Sequence, residues 1–207
     1  MRLGHALPKA FVPLSGKPLL TWSVDVFRAH PSIATVIVVI PKVMKSEAQS
    51  LFSVFADVKV VIGGAERWMS VQNGVKSSTS DWIFVHDAAR PFVTSEVIDK
   101  LLEKRTSYES VITATPVVDT IRTFSGDCCG ETIDRSTLVR VGTPQLFRRG
   151  LLIKGFDLAA TAKKEITDEA MLMQLMDIEV GFAWGDTKNF KVTTPEDLEI
   201  AESLLKK

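Results

Sequence analysis

The stretch "IFVHDAARPF" (residues 83–92) closes an apolar run with His86, Asp87 and Arg90 and then stops at Pro91. A carboxylate and a guanidinium this close at a strand end often form only a loop ion pair or a cap. Joined by cations from other loops, they suit a reaction between phosphates. A phosphate oxygen is already an anionic nucleophile at pH 7, so no general base is needed. Catalysis is then positioning plus charge neutralisation by Mg²⁺, Lys and Arg. Asp87 fits the metal-holding carboxylate, and Arg2, Lys9, Arg90 and Lys191 lie on segments that could supply the cations. Taken singly, these residues have plainer readings. Lys9 after Pro8 is a solvated lysine, Gly63–Gly64 is a turn, and His86 is a packed strand-end histidine. Thr167-Asp168-Glu169 is explained by helix capping and a favourable dipole, with Thr167 as the N-cap.

Other chemistries lack their residues. The three histidines, at 5, 30 and 86, have no metal-ligand spacing. No CxxC, HExxH, GxSxG, intact GxGxxG or GxxxxGKS is present. An NAD-dependent dehydrogenase is therefore a weak reading. Lys plus Arg equals Asp plus Glu at 25 each, which gives no basic excess for a nucleic acid. Cys128 and Cys129 are neighbours, and disulfide geometry fits adjacent residues badly, so a reducing cytoplasm is expected. The longest apolar run, Val36 to Ile40, is far too short to span a membrane.

The elements that must position these residues alternate. "TVIVVI" (35–40), "VKVVI" (58–62), "DWIFVHD" (81–87) and "SVITATPV" (110–117) read as strands. Helix-length amphipathic segments at 45–56, 67–78 and 95–105 separate them. Continuous Val/Ile runs between helices predict a mostly parallel sheet covered on both faces, an α/β doubly wound domain. Ligands bind such sheets beyond the carboxyl ends of the strands. That places "IGGAER" (62–67) and "VHDAARP" (85–91) at one crevice.

After residue 117 the pattern breaks. Residues 118–141 are polar and turn-rich, with "SGD" and "CCGE" as turn signals, and predict two extended segments joined by a turn. A lone ribbon is marginal in water, so this projecting β-arm is expected to seek a partner subunit within a homodimer. Two helices follow in "RRGLLIKGFDLAATAKK" and "TDEAMLMQLM", then a strand in "IEVGFAWG". A last helix opens with Thr194 as N-cap and Pro195 at its first position. Residues 1–207 form a single domain in this reading.

Taken in order, "RLGHALPKAF", "GGAERWMSV", "VHDAARPF", "PVVDTI", "IDRSTLVRVGTPQLF", "ITDEA" and "NFKVTTPEDL" resemble the 2-C-methyl-D-erythritol 4-phosphate cytidylyltransferase family of the non-mevalonate isoprenoid pathway. The resemblance runs from residue 2 to 198. It implies a Rossmann-like nucleotidyltransferase fold, a homodimer joined by the arm, and Mg²⁺-dependent conversion of CTP and methylerythritol phosphate to the CDP-alcohol and pyrophosphate. By the same resemblance, Arg2 and Lys9 neutralise the triphosphate and its transition state, and Gly64 and Ser70 line the cytidine pocket. Asp87 serves the Mg²⁺–CTP, Arg90 shapes its loop, and Thr120 and Arg135 reach the sugar phosphate of the other subunit. Thr167 and Lys191 complete the phosphate-binding wall.

The chain departs from the family pattern in two places. Family members carry a strand and an AAGxGxR loop ahead of the arginine matching Arg2, so an upstream extension of roughly 15–25 residues is expected. Ala65 stands where "GGxER" commonly has an acidic residue. The related ribitol 5-phosphate cytidylyltransferases tend to read "VRDHM" and "LTDAC" where this chain reads "IDRST" and "ITDEA". Asp134, Arg135 and Glu169 therefore favour methylerythritol phosphate. A non-catalytic nucleotide-binding dimer is the rival from another class.

Overall fold

The structure is a computed structural model that describes residues 7–162 and 166–206. A short hairpin of β1 (Pro13–Leu14) and β2 (Lys17–Pro18) leads into α1 (Leu19–Ala29). The alternation then follows as β3 (Val36–Ile40), α2 (Lys45–Phe52), β4 (Val58–Ile62), α3 (Arg67–Lys76), β5 (Trp82–Val85), α4 (Ser95–Lys104) and β6 (Ser110–Pro116). The arm is β7 (Ile121–Ser125) and β8 (Cys128–Ile133), and β9 (Val139–Arg148) returns from it. The chain closes with α5 (Arg149–Ala162), α6 (Ala170–Gln174), β10 (Gly181–Trp184) and α7 (Pro195–Leu205).

β3 and β4 pair in parallel, and β10-β6-β9-β5 form a four-stranded sheet. That sheet is mixed where the Val/Ile runs predicted mostly parallel strands. β10 runs parallel to β6, but β9 is antiparallel to both β6 and β5. The reason is connectivity. The chain leaves β6 for the arm and comes back with no crossover helix, and a simple reversal yields an antiparallel neighbour.

Period-two alternation sends side chains to two helical layers. Ile112 and Phe147 pack with Leu152 and Phe156 of α5 and Leu172 and Met173 of α6. Their chain neighbours Val111 and Leu146 face the other way, onto Val97 and Leu101 of α4. Leu20 and Val24 of α1 and Phe52 of α2 cover Val38 and Ile40 of β3. Helices on both faces are what a doubly wound sheet requires.

β3 is bonded by a strand on one side only, and so is β5, among the described residues. Both line an apolar slot of about 480 Å³, with α1 and α3 closing it from the two faces. The arm is almost wholly exposed, with Phe124 81% accessible. Gly126, at φ 55°, takes the positive-φ position of its two-residue turn. Cys128 and Cys129 are free thiols on β8. The last helix begins as its sequence predicts: Thr194 and Asp197 form a reciprocal capping box, with Pro195 at the first position. Among the described residues, no helix is long and apolar enough to cross a membrane.

Candidate active site

β5 ends at Val85, which is buried, and the three residues that follow are half-buried. A chain of hydrogen bonds fixes the turn that follows. His86 Nε2 lies 3.0 Å from the carbonyl of Arg90, which can only accept, so Nε2 carries the proton. Nδ1 is then an acceptor, and the Thr143 hydroxyl donates to it at 3.2 Å. The freed lone pair of Thr143 Oγ1 accepts the Asp87 N–H at 3.0 Å. Arg90 N–H closes the turn on the Asp87 carbonyl at 2.9 Å. Burial disfavours the imidazolium and pushes the His86 pKa down to about 4; the Arg90 carbonyl and the Asp87 charge oppose this only in part. His86 is thus a neutral structural residue, in keeping with the plain reading of its sequence position.

The same turn is tied to the segment after β10. Arg90 Nη1 donates to the Asn189 carbonyl at 3.0 Å, and Asn189 Nδ2 donates to the Thr143 carbonyl at 3.0 Å. Val192 N–H meets the Ala89 carbonyl at 2.8 Å. These bonds bring Lys191 over Asp87, although the two are 104 residues apart.

Three cations surround the Asp87 carboxylate. Lys191 Nζ is 2.9 Å from Oδ2, Arg67 Nη2 is 3.5 Å from Oδ1, and Arg90 Nε is 3.6 Å from Oδ2. Burial raises the cost of ionising Asp87, yet the fields of Lys191, Arg67 and Arg90 together hold its pKa below the ordinary value. The carboxylate is 16% exposed, so it is sheltered but open to the crevice.

The glycine-rich turn after β4 reaches the same end of the structure. Gly64 N–H donates to Ser70 Oγ at 3.1 Å, and Ser70 Oγ donates to the Glu66 carbonyl at 3.2 Å. A Cβ on Gly64 would fall 2.3 Å from Met69 Cβ, so the turn has no room for a side chain there.

The other expected site residues that the structure describes sit on other segments of the chain. Lys9 opens a short 3-10 turn whose Phe11 is buried against β3 and α2. Thr120 and Arg135 sit exposed at the base of the arm, where Arg135 Nη1 donates to the Val118 carbonyl. No contact links either to Asp87 among the described residues. Arg2 lies outside the described residues.

The expected N-cap role of Thr167 is not found. α6 begins later, at Ala170, and Asp168 Oδ1 accepts the Met171 N–H instead. The Thr167 hydroxyl donates to Met171 Sδ at 2.9 Å. Glu169 stands at the N-cap position of α6, but its side chain makes no cap hydrogen bond. Its carboxylate is fully buried and takes Arg67 in a fork, with Nη1 to Oε1 at 2.7 Å and Nη2 to Oε2 at 3.0 Å. Sequence reading missed Arg67 as a site residue. Its signal was present in "GGAER", one turn beyond a strand end, but its partner lies 102 positions away.

A family model for 2-C-methyl-D-erythritol 4-phosphate cytidylyltransferase (IspD) matches residues 1–207. The chain belongs to this family. The cytidylyltransferase of Bacillus velezensis is 38% identical over 204 residues, covering 96% of this chain and 88% of that protein. A bifunctional IspD/IspF enzyme of Desulfotalea psychrophila is 34% identical; the match covers 96% of this chain but only 52% of the longer enzyme. The crystal structure of the Thermus thermophilus cytidylyltransferase superposes with a TM-score of 0.86 at 30% identity, covering all of both chains. That of the Anaerococcus prevotii 4-diphosphocytidyl-2C-methyl-D-erythritol synthase gives 0.90 at 25% identity, over 100% of this chain and 93% of that one. These cytidylyltransferase structures share the α/β architecture with the mixed sheet described above.

Proposed function

We propose that this chain transfers a cytidylyl group from CTP to 2-C-methyl-D-erythritol 4-phosphate, releasing pyrophosphate and 4-diphosphocytidyl-2-C-methyl-D-erythritol. The observation that carries the reading is Asp87, set at the end of β5 among Lys191, Arg67 and Arg90, in a chain of this family. In the reaction an oxygen of the sugar-alcohol phosphate attacks the α-phosphorus of CTP. The bond from that phosphorus to the β-bridging oxygen breaks, and pyrophosphate leaves with its electrons. Both reactants are anions, so the protein's task is to gather positive charge at the reacting centre.

Lys191 and Lys9, with Arg2 ahead of them, supply that charge in this reading. Gly64 and Ser70 are assigned to the cytidine pocket by the same reading; Met69 fills the space a Gly64 side chain would need, so the turn is packed closely on the start of α3. Thr167, two residues before Glu169, is assigned in this reading to the phosphate-binding wall, and Thr120 and Arg135, at the base of the arm, to the polyol phosphate of a second subunit. The exposed ribbon and its Phe124 support a homodimer formed through the arm.

The donor set fits a divalent cation of the Mg²⁺ type. No cluster of three acidic, His or Cys ligands occurs among the described residues. Mg²⁺ is commonly held by one or two carboxylates plus substrate phosphates, and Asp87 is one such carboxylate. When bound, the cation would add charge neutralisation at the phosphates. Free cysteines on an exposed strand suit a cytoplasmic setting.

The test is pyrophosphate release from CTP and Mg²⁺ with methylerythritol phosphate and, separately, ribitol 5-phosphate. Release with the first and little with the second is expected. Faster release with ribitol phosphate would reassign the alcohol, and none with either would remove the catalytic reading.

A further inference from the structure

Asp87 is held by three cations of different kinds; Arg90 Nε stands 3.6 Å from Oδ2, at the edge of ion-pair range, with its Nη1 committed to the Asn189 carbonyl. Lys191 meets Oδ2 at 2.9 Å from a side chain that is 40% exposed. A compact ammonium on a flexible stem can leave and return. Arg67 meets Oδ1 at 3.5 Å, and its fork is fastened elsewhere. Nη1 and Nη2 lie 2.7 and 3.0 Å from the two oxygens of Glu169, whose carboxylate has no solvent exposure. Removing a buried carboxylate's cation leaves an uncompensated charge in the core, so this fork stays closed. It also joins two elements: Arg67 opens α3, and Glu169 immediately precedes α6. Nη2 therefore stands between two carboxylates, and Glu169 decides which way it points.

We propose that Glu169 and Arg67 are positioning residues for Asp87. Their fork, anchored on the buried Glu169 carboxylate, steadies Oδ1 and leaves Oδ2 as the oxygen exchanged between the Lys191 ammonium and an incoming divalent cation. This deepens the cytidylyl-transfer reading and rests on it. The alternative geometry shows why the clamp matters. Arginine pairs with carboxylates bidentately by preference. Released from Glu169, the Arg67 fork would turn onto Asp87, engage both oxygens and shield them from a cation. Glu169 prevents this by keeping the fork for itself and offering Asp87 only one edge. Neither residue has to touch substrate.

Mn²⁺ binding to the enzyme in the presence of CTP, followed by electron paramagnetic resonance, tests the proposal. The proteins compared are wild type, Glu169→Gln and Arg67→Lys, each checked for folding by circular dichroism. Gln keeps the shape of Glu169 without its charge, and Lys keeps the charge of Arg67 without its fork. Both variants are expected to bind Mn²⁺ about tenfold or more weakly, as partners behind metal ligands generally require. The Mg²⁺ concentration for half-maximal turnover should rise in step, while kcat at saturating Mg²⁺ changes less. Wild-type Mn²⁺ affinity in a folded variant, whatever its melting temperature, would make the pair a structural tie and overturn the proposal. If one variant does not fold, the other decides. Resonance needs no turnover, so pyrophosphate release by the wild type, measured alongside, separates a failure of the reaction assignment from a failure of this inference.

Discussion

Replacing His86 by Gln should flatten the acid side of the stability profile. The imidazole titrates at about 4 in the fold, against 6.5 for an unperturbed histidine. The cause is burial beneath Phe27, whose ring lies 5.3 Å away, in a turn whose hydrogen bonds suit the neutral ring. Between these two values the unfolded chain binds a proton that the folded chain refuses. Stability from this group is therefore complete above pH 6.5 and is lost as pH falls towards 4. A gap of about 2.5 units at ~1.36 kcal/mol per unit sets a ceiling of about 3 kcal/mol. Integrating between about pH 7.5 and about pH 5 gives a loss of about 2 kcal/mol. Urea unfolding of the metal-free protein at those two pH values measures it. Carboxylates titrate in both proteins, so the informative quantity is the difference between wild type and His86→Gln. The variant is expected to be less stable at about pH 7.5 but to lose about 2 kcal/mol less on acidification. Equal losses in the two proteins would show that His86 is not held neutral, and the proton directions assigned through Thr143 to Asp87 would fall with it.

Other substitutions probe separate parts of the structure. Lys191→Ala should lower turnover on the order of 10²–10³-fold, the usual cost of a lost transition-state charge donor, with circular dichroism unchanged; turnover within a few-fold of wild type would exclude Lys191 from the mechanism. Gly64→Ala should weaken CTP binding in titration calorimetry, because its Cβ would meet Met69 Cβ at 2.3 Å and force the turn to move. Unaltered affinity would place the nucleoside elsewhere. Thr194→Ala removes half of the α7 capping box and should cost about 1 kcal/mol in a urea melt; a loss near zero would mean that Asp197 holds the helix start alone.

What the sequence disclosed depended on how local each cause is. The strands from Val36 to Pro116 were legible because β-branched runs state their own conformation, and α7 because Thr194, Pro195 and Asp197 form its start within four residues. Asp87 and Arg90 were legible because a charged pair interrupts an apolar run, and Lys191 because of the motif around it. The direction of β9 was not legible. Its residues, "VRVGTPQLFR", fit a parallel or an antiparallel strand equally, and only the path through the arm decides between them. Glu169 was misjudged for a similar reason. An acid just before a helix is cheaply explained by its own helix. Its real partner, Arg67, is apparent only once α6 is laid against α3, and its complete burial only once α5 and α6 cover the sheet.

That misjudged pair changes how the charge of the site is counted. Around Asp87 stand Arg67, Arg90 and Lys191, a large surplus of positive charge for a single carboxylate. Glu169 already neutralises Arg67 from within the core, so Arg67 brings direction to the site more than free charge. Arg90 is committed as well, through Nη1 to the Asn189 carbonyl, and burial pulls its own pKa down. Lys191 remains, and among the described residues its one carboxylate partner is Asp87. The two arginines therefore hold the carboxylate in place, and the lysine is the charge that can follow the substrate. On the reading proposed above, an anionic ligand entering this crevice would meet two guanidinium groups tied to other partners and one ammonium paired only with Asp87, and that division of labour would let one carboxylate serve in turn an ion pair and a metal-bound nucleotide.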